Sequence, residues 1–394
     1  MKSTFQLVRF AVAASAALLL SACGGGGSDS STMSTGQGTL RVSLTDAPSC
    51  GFDHVNVTVQ KVSVNQSATA SDTDAGWTDI TLSPAMRVDL LSLTNGALAT
   101  LGQTPLSAGH YSQIRLVLAA NDSSNPLANS VVPTGGAETA LTTPSAQQSG
   151  LKMNADITIA ANQLVDFVLD FNACKSVVHA GNSGKYLLKP VISVTPSYIS
   201  GVTGYLDPSL GNGGTLVSVQ QAGAIVKGTT PDATGKFTLE PVAPGTYDLV
   251  VAASGHVTGV ITGVTVADQT VTLLNSSTTA FNFTAAATGS VTGTITTPTA
   301  PVDASVDALQ TLGNGDVVDI LTTNADADTG AYALILPATA PVVAAYAAAA
   351  SSVAFTPDAT AGSNYTIKAT SGGVSKSATV AVSASAPASA NFAF

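Results

Sequence analysis

The sequence predicts an all-β protein: an N-terminal β-sandwich-like domain followed by one or two small β-sandwiches. Three observations carry the expectation. Ala, Thr, Ser, Val and Gly dominate, while only 10% of residues are charged and 5% aromatic, a composition that favours short strands over amphipathic helices. Apolar and polar residues alternate with period two in many short runs, each burying one face. Turn residues such as Asp46-Ala47-Pro48 and Ala108-Gly109 close those runs. At 394 residues the chain is too long for one ordinary core and fits about two or three domains.

The first stretch is an export signal. Lys2 and Arg9 give a positive start, and Phe10 to Leu20 is apolar but too short to span a bilayer. Leu20-Ser21-Ala22-Cys23, followed at once by four Gly, resembles the lipobox of bacterial lipoproteins. The resemblance implies cleavage after residue 22 and a diacylglycerol on the Cys23 thiol. An ordinary signal with an incidental Cys is the competing reading; positive start, apolar length, small residues, Cys and tether agree on the lipoprotein. Gly24 is not the Asp that resembles an inner-membrane retention signal, which points to the outer membrane. Residues 23–37 read as a flexible Gly/Ser/Thr tether.

Charge narrows the partners. Losing Lys2 and Arg9 with the signal takes the formal charge from −10 to −12. Residues 24–199 hold 8 basic and 12 acidic groups, and residues 200–394 hold 4 and 12. With no basic cluster, nucleic acid and anionic head groups are excluded as partners. The lipid on Cys23 is the expected membrane contact, with an envelope protein or a glycan as a further partner. After lipidation only Cys50 and Cys174 remain, and in an oxidising envelope they are expected to pair.

Order begins near Thr39. Leu40, Val42 and Leu44 alternate with polar residues. Val55, Val57 and Val59 share a face that Val62 and Val64 continue, so a bulge is expected near Gln60-Lys61. A strand around residues 86–90 leads into a segment with room for a helical turn near Asn95-Gly96. Ile114, Leu116 and Leu118 form another strand. Residues 121–150 read as a long polar loop of the kind that often binds or moves. Lys152 to Ile159 and Gln163 to Asn172 are strands; in the second, Asp166 and Asp170 are expected on a solvated face. Leu187 to Ile192, with Pro190, reads as one closing edge strand.

The motifs Ser43-Leu44-Thr45-Asp46-Ala47-Pro48, Val88-Asp89-Leu90-Leu91-Ser92-Leu93-Thr94-Asn95-Gly96 and Leu106-Ser107-Ala108-Gly109-His110-Tyr111, continuing Ser112-Gln113-Ile114-Arg115-Leu116, resemble the domain of unknown function 4382. The resemblance covers about residues 38–199 and implies an all-β domain with no established activity. Asp232-Ala233-Thr234-Gly235-Lys236-Phe237, Pro244-Gly245-Thr246-Tyr247 and Ser254-Gly255-His256 resemble the carboxypeptidase regulatory-like, transthyretin-like sandwiches over residues 200–285. There the Gly residues imply hairpin turns and the Phe and Tyr a shared core. His256 stands where that family has an aromatic residue.

Residues 286–394 repeat the pattern. Val291-Thr292-Gly293 echoes Val202-Thr203-Gly204, Thr329-Gly330-Ala331-Tyr332 echoes Thr234-Gly235-Lys236-Phe237, and Asn391-Phe392 echoes Asn282-Phe283. The region reads as a divergent second sandwich lacking the Pro-Gly-Thr-Tyr element, against a low-complexity tail.

No catalytic constellation stands out. His54, His110, His179 and His256 lack close ligand spacing and read as surface or turn residues, although the first three could meet in space as a metal site. There is no Gly-x-Ser-x-Gly elbow. Gly181-Asn182-Ser183-Gly184-Lys185 lacks full phosphate-loop spacing and reads as a hairpin turn. Asn324, Asp326 and Asp328 alternate and are candidate ligands for a hard cation, but the twelfth position from Asn324 is Ile335, not Glu, so a polar turn is favoured. The expectation is a non-enzymatic binding or structural lipoprotein of the envelope with no cofactor. The alternatives are a carbohydrate-binding adhesin and a metal-dependent or hydrolytic enzyme using the first domain.

Overall fold

A computed structural model of the chain describes residues 36–46, 51–144, 150–181, 183–211, 214–348 and 353–394. The expected signal, Cys23, the expected tether up to residue 35, and Cys50 lie outside the described residues. No described helix is long and apolar enough to cross a membrane.

In chain order the first domain contains β1 (Gln37–Asp46), β2 (Phe52–Asn65), β3 (Thr78–Asp89), β4 (Ala99–Ser107), β5 (Gly109–Leu118) and β6 (Ser130–Pro133). It continues with β7 (Thr139–Thr142), β8 (Leu151–Ile159), β9 (Leu164–Phe171), the short helix α1 (Ala173–Ser176), β10 (Val177–Ala180), β11 (Lys185–Leu188) and β12 (Ile192–Pro196). One sheet has the order β12-β9-β1-β4; the other runs β10-β11-β7-β6-β2-β5-β8, with β3 also on β2. Leu40, Val42 and Leu44 of β1 and Val55, Val57 and Val59 of β2 are fully buried in one core with Phe171, Ile114 and Leu116. The pairing of β2 with β3 and with β5 slips between Val59 and Lys61. That slip is the expected bulge, and it keeps Val62 and Val64 on the buried face.

Three local expectations are corrected. Residues 121–150 are not one loop: β6 and β7 pair there and extend the large sheet from β2. Asn129, fully buried, organises the segment by accepting from the Thr58 amide and donating to the Ala119 carbonyl. The closing strand is two strands, because Pro190 lacks the N–H a ladder needs; β11 stays in the large sheet and β12 crosses to the small one. The helical turn is a 3-10 turn at Leu90–Ser92, and Asn95-Gly96 is instead a left-handed corner (φ 56° and 77°).

The second domain contains β13 (Gly201–Tyr205), β14 (Thr215–Gln221), β15 (Ala224–Thr229), β16 (Lys236–Leu239), β17 (Gly245–Ala253), β18 (Gly259–Val266) and β19 (Val271–Leu273). The third contains β20 (Thr288–Thr296), β21 (Ser305–Thr311), β22 (Val317–Asn324), β23 (Ala331–Pro337) and β24 (Val342–Ala345). It ends with β25 (Thr356–Pro357), β26 (Asn364–Ser371), β27 (Val374–Ala381), β28 (Ala388–Ser389) and β29 (Phe392–Ala393).

The two are copies of one plan. In the second domain β16-β13-β19 faces β15-β14-β17-β18; in the third, β23-β20-β28 faces β22-β21-β26-β27. Gly204 stands opposite Phe237, and Gly293 opposite Tyr332. A Cβ at either Gly would come within 2.7 Å of that ring, and at Gly293 within 1.8 Å of the Ala390 carbonyl oxygen as well, so each Gly leaves room for an aromatic side chain across the strand and Gly293 also for a neighbouring backbone. The turn glycines match too: Leu206 N donates to Gly235 O and Ile295 N to Gly330 O, both at 2.8 Å.

Two details of the repeat differ from the sequence expectation. Phe392 pairs beside Ile295 as Phe281 pairs beside Leu206, and Asn391 Oδ1 accepts from Thr294 N as Asn275 Oδ1 accepts from Tyr205 N. The counterparts are therefore Asn275 and Phe281, not Asn282-Phe283. The tyrosine of the Pro-Gly-Thr-Tyr element is also retained, as Tyr365. Tyr247 and Tyr365 hold matching places on β17 and β26, and each hydroxyl donates to a carbonyl at 2.9 Å, of Ala243 and Pro337 respectively.

What separates the copies is the connection before that tyrosine. Residues 240–244 make it in the second domain, but residues 338–363 make it in the third. The longer segment leaves its own sandwich. Its strand β24 adds in parallel to the edge of β18, with β25 beside it. Phe355 meets the rings of Phe281 and Phe283 edge-on, at 5.6 and 5.2 Å. Strands β24 and β25, with Tyr346, Val353 and Phe355, thus extend the second domain's sheet and core, although they lie within the 286–394 region.

Candidate functional site

The sequence candidates do not converge on a reaction centre. His54 lies near the start of β2, beside β6, and His110 near the start of β5, beside β8, about 40 Å of strand apart. Each has its own carboxylate at 2.7 Å, Asp89 for His54 and Asp156 for His110. The Asp89 carboxylate raises the His54 pKa. His256 is bound to the Ser254 carbonyl. Among the described residues no group of three or more His, Cys, Asp or Glu is placed to hold a metal.

Asn324, Asp326 and Asp328 do act together, as a clamp between domains. Asn324 donates its amide hydrogens to the carbonyls of Cys174, Lys175 and Val177, at 3.1 to 3.2 Å. These bonds commit the Asn324 amide nitrogen to the first domain. Asp326 Oδ2 accepts from Gly181 N at 2.7 Å, and Asp328 Oδ2 from Ser183 N at 3.1 Å. The glycine-containing turn is indeed the hairpin between β10 and β11, and two of its amides are filled by the protein's own carboxylates. Burial works against the charged form of Asp326, but hydrogen bonds from Thr329, Gly181 and Asp328 outweigh it and lower the pKa. Ala327 packs with Val178 and Ala180 underneath.

Asp166 and Asp170 also depart from expectation. Asp166 takes both ends of the Arg41 guanidinium, at 2.5 and 2.7 Å. Asp170 is not solvated: its side chain is 14% exposed and meets Lys227 Nζ at 2.9 Å, the lysine being 3% exposed. Burial raises the Asp170 pKa against the pull of Lys227. Lys227 comes from β15, so this pair ties the first domain to the second. Asn95 adds to the seam, donating from its amide to Thr229 Oγ1 and accepting from Thr238 N.

The seam between first and third domains has a different make-up. Lys175 of α1 meets Asp307 of β21 at 3.3 Å. Thr322 lies 2.9 Å from both Asp307 Oδ1 and Asp319 Oδ2. Asp319 is 2% exposed, and its Oδ1 has no hydrogen-bond partner among the described residues. Burial, then the Asp307 carboxylate, push the Asp319 pKa up to about 7, against Lys175, Thr322 and the Leu321 amide. The backbone of Asp319 ties the third domain to the second: Gln220 donates to its carbonyl and accepts from its amide, both at 2.7 Å.

Where the three seams meet there is a cleft of about 640 Å³. Lys175 and Cys174 reach it from the first domain, Leu216 and Ile225 from the second, and Leu321 and Ile335 from the third. Ile335 is 59% exposed there. The size and mainly apolar surface suit a small-molecule site. Cys174 is disulfide-bonded; Cys50, its expected partner, lies outside the described residues.

That these residues join domains was not legible in the sequence, with one partial signal. Residues 200–394 hold only four basic groups, and Lys227 sits inside the otherwise uncharged strand Ala-Ile-Val-Lys-Gly-Thr. A lysine there needs a partner, but nothing local names Asp170.

Residues 37–190 match the model of the domain of unknown function 4382, and residues 211–279 that of the carboxypeptidase regulatory-like domain. No curated protein matches the chain. Among solved structures, a C-terminal interface mutant of a type II cohesin–X–dockerin complex from Acetivibrio cellulolyticus is 23% identical, over 22% of this chain and 58% of that one, with a TM-score of 0.19. The chain thus spans less than two thirds of that protein's length. The Bacillus anthracis TIE protein is 11% identical over 91% and 51% (TM-score 0.18), and a streptococcal ancillary pilin 8% identical over 91% and 98% (TM-score 0.16). Likeness at these scores carries no argument about fold or role. The chain carries a DUF4382 domain followed by a carboxypeptidase regulatory-like domain, in an all-β architecture.

Proposed function

We propose that this protein is a non-enzymatic lipoprotein of the bacterial envelope, held by lipid on Cys23 and presenting its β-domains as one rigid body for binding or support. The observation that carries the reading is the set of buried seams. Each pair of domains is joined by side chains withdrawn from water, and the second domain's sheet is completed by a strand from the region of the third. A chain that welds its domains this way suits a fixed scaffold at the end of a tether better than a machine with moving parts. The three-domain cleft is the place for a ligand, and an envelope protein or a glycan are the partners in view. Gly24 after Cys23 supports the outer membrane.

Labelling cells with radioactive palmitate tests the anchor. The mature protein takes up label and fractionates with membranes, and Cys23→Ser abolishes both; an unlabelled, freely soluble wild-type protein would refute the reading. A non-reduced peptide digest tests the remaining thiols. It yields a Cys50–Cys174 cross-linked peptide, and free Cys50 together with Cys174 joined elsewhere would overturn that pairing.

A further inference from the structure

The seam between the first and third domains contains more acid than base. Asp307 and Asp319 face it from β21 and β22, and Lys175 reaches it from α1. Lys368 stands opposite Asp307 in register on β26, without an ion pair to either carboxylate. The second domain contributes Gln220, a neutral residue whose amide is already committed to the Asp319 backbone.

Hydrogen counting then fixes the protonation of the cluster. The Thr322 hydroxyl has one hydrogen to donate, yet it lies 2.9 Å from an oxygen of each carboxylate. If both were ionised, one of those contacts would set a lone pair of the Thr322 oxygen against an anionic oxygen. The arrangement closes when Asp319 Oδ2 carries a proton. Asp319 then donates to Thr322 Oγ1, Thr322 donates to Asp307 Oδ1, and Asp307 also accepts from Lys175 Nζ. One positive and one negative charge remain, and every hydrogen in the relay has an acceptor. The partnerless Oδ1 of Asp319 agrees: a neutral acid tolerates a bare carbonyl oxygen in the interior far better than a carboxylate would.

We propose that Asp319 stores a proton at neutral pH and that its release loosens the seam between the first and third domains, making this junction a pH-sensitive latch. The step is a simple ionisation: Asp319 loses its Oδ2 proton to water, and a second carboxylate is left beside Asp307 with only Lys175 to balance the two. The sign follows from the raised folded-state affinity for the proton. Between the ordinary carboxylate range and the folded midpoint, the folded protein holds a proton the unfolded chain has lost. Stability from this group therefore falls as pH rises through that window and is lowest above it.

The test compares the wild-type chain with Asp319→Asn, whose amide can donate to Thr322 as the protonated acid does. Thermal unfolding is recorded from pH 5 to pH 8. Asp319→Asn raises the melting temperature at pH 8 by about 2 to 4 °C over wild type, with the difference shrinking toward pH 5. A variant less stable than wild type at pH 8, or a difference that does not change with pH, overturns the proposal. Carbon-13 NMR of the aspartate carboxyl groups gives a readout independent of stability. One resonance, absent in Asp319→Asn, titrates above pH 6, and a midpoint below pH 5 overturns the stored proton. Hydrogen exchange of residues 173–181 and 319–328 rises between pH 6 and pH 8 in wild type and stays flat in the variant; equal rises in both refute the latch.

Discussion

The first domain meets its two neighbours through seams of opposite polarity. Toward the second domain it offers an acid, Asp170, and receives the lysine Lys227; toward the third it offers the lysine Lys175 and receives the acids Asp307 and Asp319. The first seam is matched one for one and closed, with Lys227 3% exposed. The second has an acid in excess, and its lysine is 25% exposed. Burial and charge balance thus set the two contacts apart: one is a closed one-to-one pair, and the other carries an unmatched acid.

Removing each lysine in turn grades that contrast. Lys227→Met leaves the Asp170 carboxylate buried beside an apolar chain and costs about 3 to 5 kcal/mol in denaturant unfolding. A cost under about 1 kcal/mol would show that water reaches the seam. Lys175→Met is milder, about 1 to 2 kcal/mol, because water can approach its site and Thr322 still donates to Asp307. Equal losses for the two variants would erase the distinction between the seams. The smallest effect belongs to Lys189→Ala, whose partner Asp303 is 75% exposed at 3.1 Å. It changes stability by under about 0.5 kcal/mol. A larger loss would mean that this surface pair is part of the latch.

Much of the fold was legible because it depends on local alternation. The period-two runs of β1 and β2, and even the bulge at Val59–Lys61, follow from the need to keep valines on one face. The internal repeat was legible through Gly293 and Gly330, since a missing Cβ at a crowded strand or turn position is demanded wherever the plan recurs. Phe392 was matched to the wrong phenylalanine, because its place is set by a parallel pairing with β20, far away in the sequence. Pro190 was read as an edge marker, but whether a strand ends or changes sheet at a proline depends on which ladder lies nearby.

The sequence by itself determined the all-β class, the turn glycines, the alternation that builds each core and the scarcity of charge. Those depend on a residue and its near neighbours. Only the tertiary structure decided where the few charges go. Asp170 and Lys227, or Asn324 and the carbonyls of α1, lie far apart along the chain, and nothing local forecasts their meeting. The same holds for β24 and β25, which belong to the 286–394 region in sequence but extend a neighbouring sheet. An ion pair or an added strand is stabilised by the partner that excludes water from it, and that partner is chosen by packing.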